Sequence, residues 1–337
     1  MQLPELWFAI IAICFIAYVF FEGFDFGVGM GTKFLAIDER EKRLLISIIG
    51  PHWDGNEVWL LTAGGAMFAA FPHWYATLFS GYYLPFVLLL LALIVRGVAF
   101  EYRSKISDNR WKATWDWSLF LGSLIPPFLL GALFAGLIQG LPIDSHMEMH
   151  AAFFGDIVNI YTVMSGIMFV LLSYSLGLAF IALKTDGPIR ERAKEQAKKV
   201  YWIVGAAILL FLVLTATSTT VFQDKGALLI SIYALAIILY IVLYFTTRSG
   251  REGYTFVLSA LVAVLITAAF FVYLFPNALI ANDPANNITV YDAASGNYSL
   301  TVMTIVAAIF VPIVLAYTAW SYWIFRKRMK TSDRLEY

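Results

Sequence analysis

The chain has 337 residues, of which 61% are hydrophobic and 14% charged, with mean hydropathy +0.76 and zero formal net charge. A water-soluble domain, in which about a quarter of residues are charged, cannot hide that much apolar surface. The neutral total says nothing about partners, among which nucleic acid is not expected, and the single cysteine, Cys14, excludes an intrachain disulfide or a cysteine cluster.

Apolar segments recur at 6–34, 45–71, 78–102, 115–141, 156–183, 200–222, 227–247, 254–280 and 299–325. Each is close to the roughly 20 residues an α-helix needs to cross a hydrocarbon core, so the chain reads as an all-α membrane protein of nine transmembrane helices. The first segment lacks a basic flank and outruns a signal peptide, so it reads as a retained helix. Of 23 basic residues, 21 fall in the connections after segments one, three, five and seven and in the tail that ends with Arg326, Lys327, Arg328, Lys330 and Arg334. Only Lys225 and Arg96 lie elsewhere, and the positive-inside rule therefore puts the N-terminus outside and the C-terminus in the cytoplasm. The whole of 1–337 forms one membrane domain: a first four-helix set over 1–141, a second over 142–280, and a peripheral ninth helix with the basic tail over 281–337.

Charged residues inside such helices are costly in lipid and mark functional positions. On the first helix Glu22 and Asp25 are three apart and share a face. With Lys33 as boundary, Asp25 lies eight residues, about 12 Å, inside. The opposite face carries Gly23, Gly27 and Gly31 at four-residue spacing, the pattern that lets another helix approach closely. The second helix opens on Gly50-Pro51-His52-Trp53-Asp54-Gly55-Asn56-Glu57, placing Asp54 where a cap or dipole partner would stand and Glu57 three residues on. On the third, Arg96 keeps its charge and must either reach the headgroups or find a carboxylate, for which Asp25, Glu22 and Glu101 are the candidates. These groups gather at the inner ends of helices one to three, where a proton arriving from the cytoplasm would meet them first.

None of the four histidines, His52, His73, His146 and His150, lies deep within a helix, so the axial ligands that haems require are missing from the bundles. His146 and His150, four apart, are a weak metal pair in an outer connection. Phosphate-cradling loops, H-E-x-x-H and a nucleophile elbow are all absent, leaving no constellation for catalysis by this chain alone.

The first hundred residues resemble subunit II of bacterial cytochrome bd-type quinol oxidases. The likeness rests on Glu22-Gly23-Phe24-Asp25-Phe26-Gly27-Val28-Gly29, on Gly50-Pro51 followed by Trp53-Asp54-Gly55-Asn56-Glu57-Val58-Trp59, on Phe71-Pro72 with Tyr75-Ala76 and Phe79-Ser80-Gly81, and on Arg96-Gly97-Val98-Ala99-Phe100-Glu101-Tyr102-Arg103. The resemblance implies an accessory subunit of a respiratory complex in the bacterial cytoplasmic membrane that oxidises quinol, reduces dioxygen to water and generates proton-motive force. It places the quinol site, two b-type haems and haem d in subunit I, the partner. The acids matching Asp25 and Asp54 would line a cytoplasmic proton path, to which Glu22 and Glu57 are neighbours and Arg96 with Glu101 the charge partners. Some members also hold a lipid or quinone in a lateral pocket, and small single-helix subunits attach to some complexes. Two other readings are a proton-coupled secondary transporter, for which Pro126 and Pro127 would interrupt the fourth helix, and a purely structural scaffold.

Overall fold

The computed structural model describes residues 2–333; Arg334 of the basic tail lies outside them. The elements are mainly helices, with two long connections, 140–159 and 275–296, and among the described residues eight of the helices are long and apolar enough to cross a membrane. Helix α1 (Leu3–Phe34) opens where the Glu5 carboxylate accepts the Gln2 N–H at 2.9 Å. Helix α2 (Glu39–Ile49) is capped by Asp38, whose side chain accepts the Glu41 N–H at 2.8 Å. Helices α3 (Trp53–Ala70), α4 (Pro72–Gly81), α5 (Tyr83–Tyr102) and α6 (Asn109–Gln139) follow. The rest is α7 (Ile160–Lys184), α8 (Pro188–Ser218), the single turn α9 (Val221–Asp224), α10 (Gly226–Arg248), α11 (Glu252–Leu274) and α12 (Asn297–Ile324). Between α11 and α12 a small antiparallel pair, β1 (Asn277–Leu279) with β2 (Ile288–Thr289), closes a loop.

Two expectations change here. The predicted segment 45–71 is divided, because Pro51 cannot donate to a continuing helix, and the chain turns before α3 begins at Trp53. What remains is an amphipathic α2 and an 18-residue α3 whose first two turns hold Asp54, Asn56 and Glu57, and α3 is not among the eight apolar helices. Conversely, Pro126 and Pro127 do not interrupt α6, which runs unbroken from Asn109 to Gln139 with both prolines buried. Neighbouring helices shield the carbonyls that a proline leaves without a donor.

At the centre stands α1, against α3, α6, α7 and α11. The glycine stripe explains its closest crossing: a Cβ on Gly27 would sit 2.1 Å from the Ser173 carbonyl oxygen and 2.6 Å from the Gly177 Cα, so α1 and α7 meet backbone to backbone. Gly23 and Gly31 face Leu176 and Ile181 of the same helix. With that face committed to α7, Glu22 and Asp25 point the other way, toward α3 and α5. Helix α12 differs from the rest, since of its 28 residues only Leu300 is buried. It is held at its ends, by Trp7 Nε1 donating to Thr304 Oγ1 at 3.0 Å and by Tyr322 at the far end.

Candidate functional site

Four helices build a buried polar cluster at the end of the bundle where α1 finishes. Helix α1 supplies Glu22 and Asp25, and its 3.6-residue period places Tyr18 on the same stripe one turn deeper. From the opening turns of α3 come Asn56 and Glu57, from α5 Arg96, and from the last turns of α12 Tyr322. Arg96 has no exposed surface. Its Nη1 donates to Glu22 Oε1 and, at 3.0 Å, to Glu57 Oε1. The guanidinium lies over the rings of Phe26 and Phe100, at 4.9 and 5.2 Å from their centroids, which shield it from the apolar surroundings. Gly122 of α6 makes this depth attainable, because a Cβ there would stand 2.5 Å from the Arg96 Cβ.

Beside this ion pair Asp25 is equally buried. Its Oδ2 accepts the Asn56 Nδ2–H at 2.7 Å, and Asn56 Oδ1 in turn accepts the Tyr322 hydroxyl at 2.9 Å. Five polar atoms of the cluster have no hydrogen-bond partner among the described residues: Tyr18 OH, Glu22 Oε2, Asp25 Oδ1, Arg96 Nε and Arg96 Nη2. A buried polar atom is ordinarily satisfied by protein or ordered water, so these five are the positions in the cluster where water would bind. One guanidinium faces three carboxyl groups, Glu22, Asp25 and Glu57, and the net charge of the cluster is set by how many protons those three hold.

The predicted residues distribute unevenly over this geometry. Glu22, Asp25, Glu57 and Arg96 come together. Asp54 is exposed in the first turn of α3, where its Oδ1 accepts the Gly55 N–H at 2.7 Å and its charge meets the positive end of the helix dipole. Glu101 is exposed near the end of α5 and forms no ion pair with Arg96, whose carboxylates are Glu22 and Glu57. Nor does Arg96 reach toward the headgroups. Asn56 and Tyr322 went unmarked in the sequence, since an amide and a phenol carry no charge and stand 266 residues apart.

Further ion pairs tie the helix ends around the site. Arg103 donates to both carboxylate oxygens of Glu39 at 3.0 and 2.8 Å and, through Nε, to Asp116 at 2.6 Å, while Lys42 reaches Asp116 at 2.7 Å. Burial works against the Glu39 carboxylate, but the Arg103 hydrogen bonds and charge, with Lys112 behind them, hold it below its ordinary range. Glu252 gathers Arg190, Lys194 and Arg328, joining α8, α11 and the tail. Lys225, the lone basic residue of its kind in the opposite connections, donates to the Val272, Tyr273 and Phe275 carbonyl oxygens and so caps α11. Burial lowers its proton affinity, which the neighbouring Asp224 partly restores.

The histidines give a haem no axial pair. His52 is buried with its ring flat on Tyr322, centroids 4.1 Å apart; His73 is exposed in α4; His146 and His150 lie in the connection after α6. That connection is closed by Asp144, which accepts the His146 and Glu148 amides at 2.8 and 3.0 Å and faces His150 Nε2 at 3.0 Å. His150 groups with Asp144 and Glu148 on the surface, without His146.

Comparison with known proteins bears on the same chain. The family described as cytochrome bd terminal oxidase subunit II matches residues 3–325. The sequence is 45% identical to cytochrome bd ubiquinol oxidase subunit 2 of Bacillus subtilis (strain 168), over 100% of this chain and 99% of that relative. It is 34% identical to cytochrome bd-I ubiquinol oxidase subunit 2 of Escherichia coli (strain K12), over 97% of this chain and 95% of the relative. In fold it is similar to a chain of the bd oxidase from Geobacillus thermodenitrificans, with a TM-score of 0.77 over 96% of this chain and 99% of that one, at 13% identity.

Proposed function

The chain belongs to the cytochrome bd terminal oxidase subunit II family, and on that premise we propose that its buried cluster takes protons from the cytoplasm and delivers them toward the site of dioxygen reduction in a partner subunit. As a terminal oxidase subunit it is part of a quinol:oxygen oxidoreductase in the bacterial cytoplasmic membrane. The observation that carries the proposal is the placement of Asp25, Glu22 and Glu57 around one buried guanidinium, with five polar atoms left to bind a chain of water.

In this reading α3, about 27 Å long, makes the ninth crossing with α2 leading into it at the cytoplasmic end, the basic end is cytoplasmic and the N-terminus is outside. Helices up to α6 form one four-helix set, α7, α8, α10 and α11 a second, and α12 stands outside both. Asp54, exposed at the head of α3, meets cytoplasmic water; Asp25 accepts the proton; Glu22 and Glu57, held by Arg96, carry it on toward Tyr18. Each step is a transfer between a carboxyl and a hydrogen-bonded neighbour, and Arg96 keeps the cluster close to neutral while it occurs.

Haem chemistry is supplied by the partner, which would hold two b-type haems and haem d, because the histidines of this chain do not fit the role. For a bound quinone or lipid, the support lies in an apolar groove of about 550 Å³ between α8 and α10, walled by Trp202, Leu209, Ile237, Tyr240, Ile241 and Phe245. The transporter reading yields to membership of the oxidase subunit family, and α6 is not broken in the way such folds often show.

The test is Asp25→Asn in the assembled oxidase. Oxygen consumption driven by quinol is expected to fall by about 10²-fold, the scale of a positioned proton donor, with haem absorbance unchanged. Wild-type turnover would remove Asp25 from the path.

A further inference from the structure

Tyr322 is the one element of the cluster brought from the far end of the chain. Its hydroxyl donates to Asn56 Oδ1 at 2.9 Å, and the Asn56 amide donates to Asp25 Oδ2 at 2.7 Å. The phenol ring is fixed on several sides: His52 lies parallel to it at 4.1 Å and 3°, Phe21 packs at 5.6 Å and Phe24 at 6.4 Å. The rest of α12 adds little to this packing, since only Leu300 of the helix is buried. The chain just after it adds a second hold. Lys184 Nζ donates to the Phe325 carbonyl, Met329 N–H donates to the Lys184 carbonyl at 2.9 Å, and the Asp186 N–H donates to the Met329 carbonyl at 3.1 Å. Arg328 pairs with Glu252, and Lys330 lies 3.5 Å from Asp186. Residues 325–330 are thus a strap across the ends of α7 and α11, and Tyr322 hangs from it.

The chemistry of an amide between a phenol and a carboxyl gives the arrangement its use. A carboxylate only accepts, so while Asp25 is ionised Asn56 must turn its NH₂ toward it, leaving its carbonyl oxygen for a donor on the other side. A protonated Asp25 donates instead, and then the carbonyl oxygen of Asn56 is the better face, with its NH₂ turned outward. A tyrosine hydroxyl donates in the first case and accepts in the second, so it satisfies both orientations. Phenylalanine at this position would satisfy neither.

We propose that Tyr322 is a positioning residue for Asp25, holding the Asn56 amide in whichever of two orientations matches the proton on Asp25, and that the tail strap keeps it in place. The proposal rests on the proton-path reading of Asp25. The charged and titratable groups that surround Asp25 are Tyr18 and Glu22 of α1, Asp54 and Glu57 of α3, Arg96 of α5 and Tyr322 of α12, with His52 behind the phenol.

The experiment uses the assembled oxidase and two readouts: steady-state oxygen consumption against pH, and the infrared carboxyl band assigned to Asp25 by its loss in Asp25→Asn. Tyr322→Phe is expected to lower kcat about fivefold, the factor one net hydrogen bond is worth, without changing KM for quinol. It should also displace the pH profile of kcat and move the Asp25 band to higher wavenumber as its hydrogen bonding weakens. A wild-type band together with a wild-type pH profile overturns the proposal. If Asp25→Asn itself turns over normally, the proton-path reading fails, whereas a displaced band in Tyr322→Phe would still establish the positioning. Should Tyr322→Phe not assemble, Arg328→Gln loosens the strap without touching the cluster. It is expected to move the same band in the same direction, and an unmoved band there overturns the proposal.

Discussion

Replacing Arg96 by methionine should be the most damaging single change near the site, and its size follows from which carboxylate is stranded. Glu57 keeps about a fifth of its side chain exposed and can turn to water, whereas Glu22 has no exposed surface at all. Breaking a buried ion pair from one side costs about 3–5 kcal/mol, and nearly all of that cost falls on Glu22. At about 2 °C per kcal/mol for a chain of this size, the thermal midpoint of the purified complex, followed by loss of haem absorbance on heating, should drop by roughly 6 to 10 °C. The sharper measurement is the double variant. Arg96→Met with Glu22→Gln removes the stranded charge, and the coupling between two contacting residues, about 0.5–3 kcal/mol, should return at least about 1 °C of the loss. Two results would refute this reasoning: a single variant within about 1 °C of wild type, or a double variant whose loss is the plain sum of the two singles.

Two further expectations concern packing and pH. Gly27→Val forces a side chain against the Ser173 carbonyl and the Gly177 Cα, neither of which can rotate aside, so α1 and α7 must part. The yield of assembled oxidase should fall as for a core overpacked by about 1–3 kcal/mol, while Gly253→Ala, which meets nothing within 4 Å, should assemble like wild type. Asp144→Asn should open the connection after α6. The His150 hydrogen bond, and then the Glu148 and His146 amides, hold Asp144 at about 2 against an ordinary 3.8, so its contribution is complete above the ordinary value and is lost as pH falls through about 2. The ratio of amide hydrogen-exchange rates at His146 and Glu148, variant over wild type, should be large near neutrality and approach one below about pH 2.

What the sequence made legible was what composition and spacing encode. Apolar runs matched eight helices, because hydropathy over such a length leaves little choice of structure in lipid. The three-residue spacing of Glu22 and Asp25, opposite Gly23, Gly27 and Gly31, correctly gave a helix with one face for a neighbouring helix and one for charge. The failures share a physical cause. Segment 45–71 looked like one span since hydropathy sums over a window and does not register the turn that Pro51 imposes. Glu101 was a reasonable partner for Arg96 by proximity in sequence, yet five residues on a helix turn a side chain about 140° away, onto a different face. Asn56 and Tyr322 meet only through tertiary structure, and a neutral amide in a membrane helix announces nothing until its neighbours are known.

The distance along the chain from Asn56 to Tyr322 also sets an order of events during synthesis. Those 266 residues take on the order of ten seconds to a minute to translate, at about 5–20 residues per second. For that interval Glu22 and Arg96, both in the first hundred residues, are already available to pair, but the amide beside Asp25 waits for its phenol. The nascent protein therefore carries an unfinished acid cluster until its last helix has been inserted and its tail fastened to Lys184 and Glu252. A truncated or stalled chain leaves that site open, so the acid cluster is complete only once the whole subunit has been made.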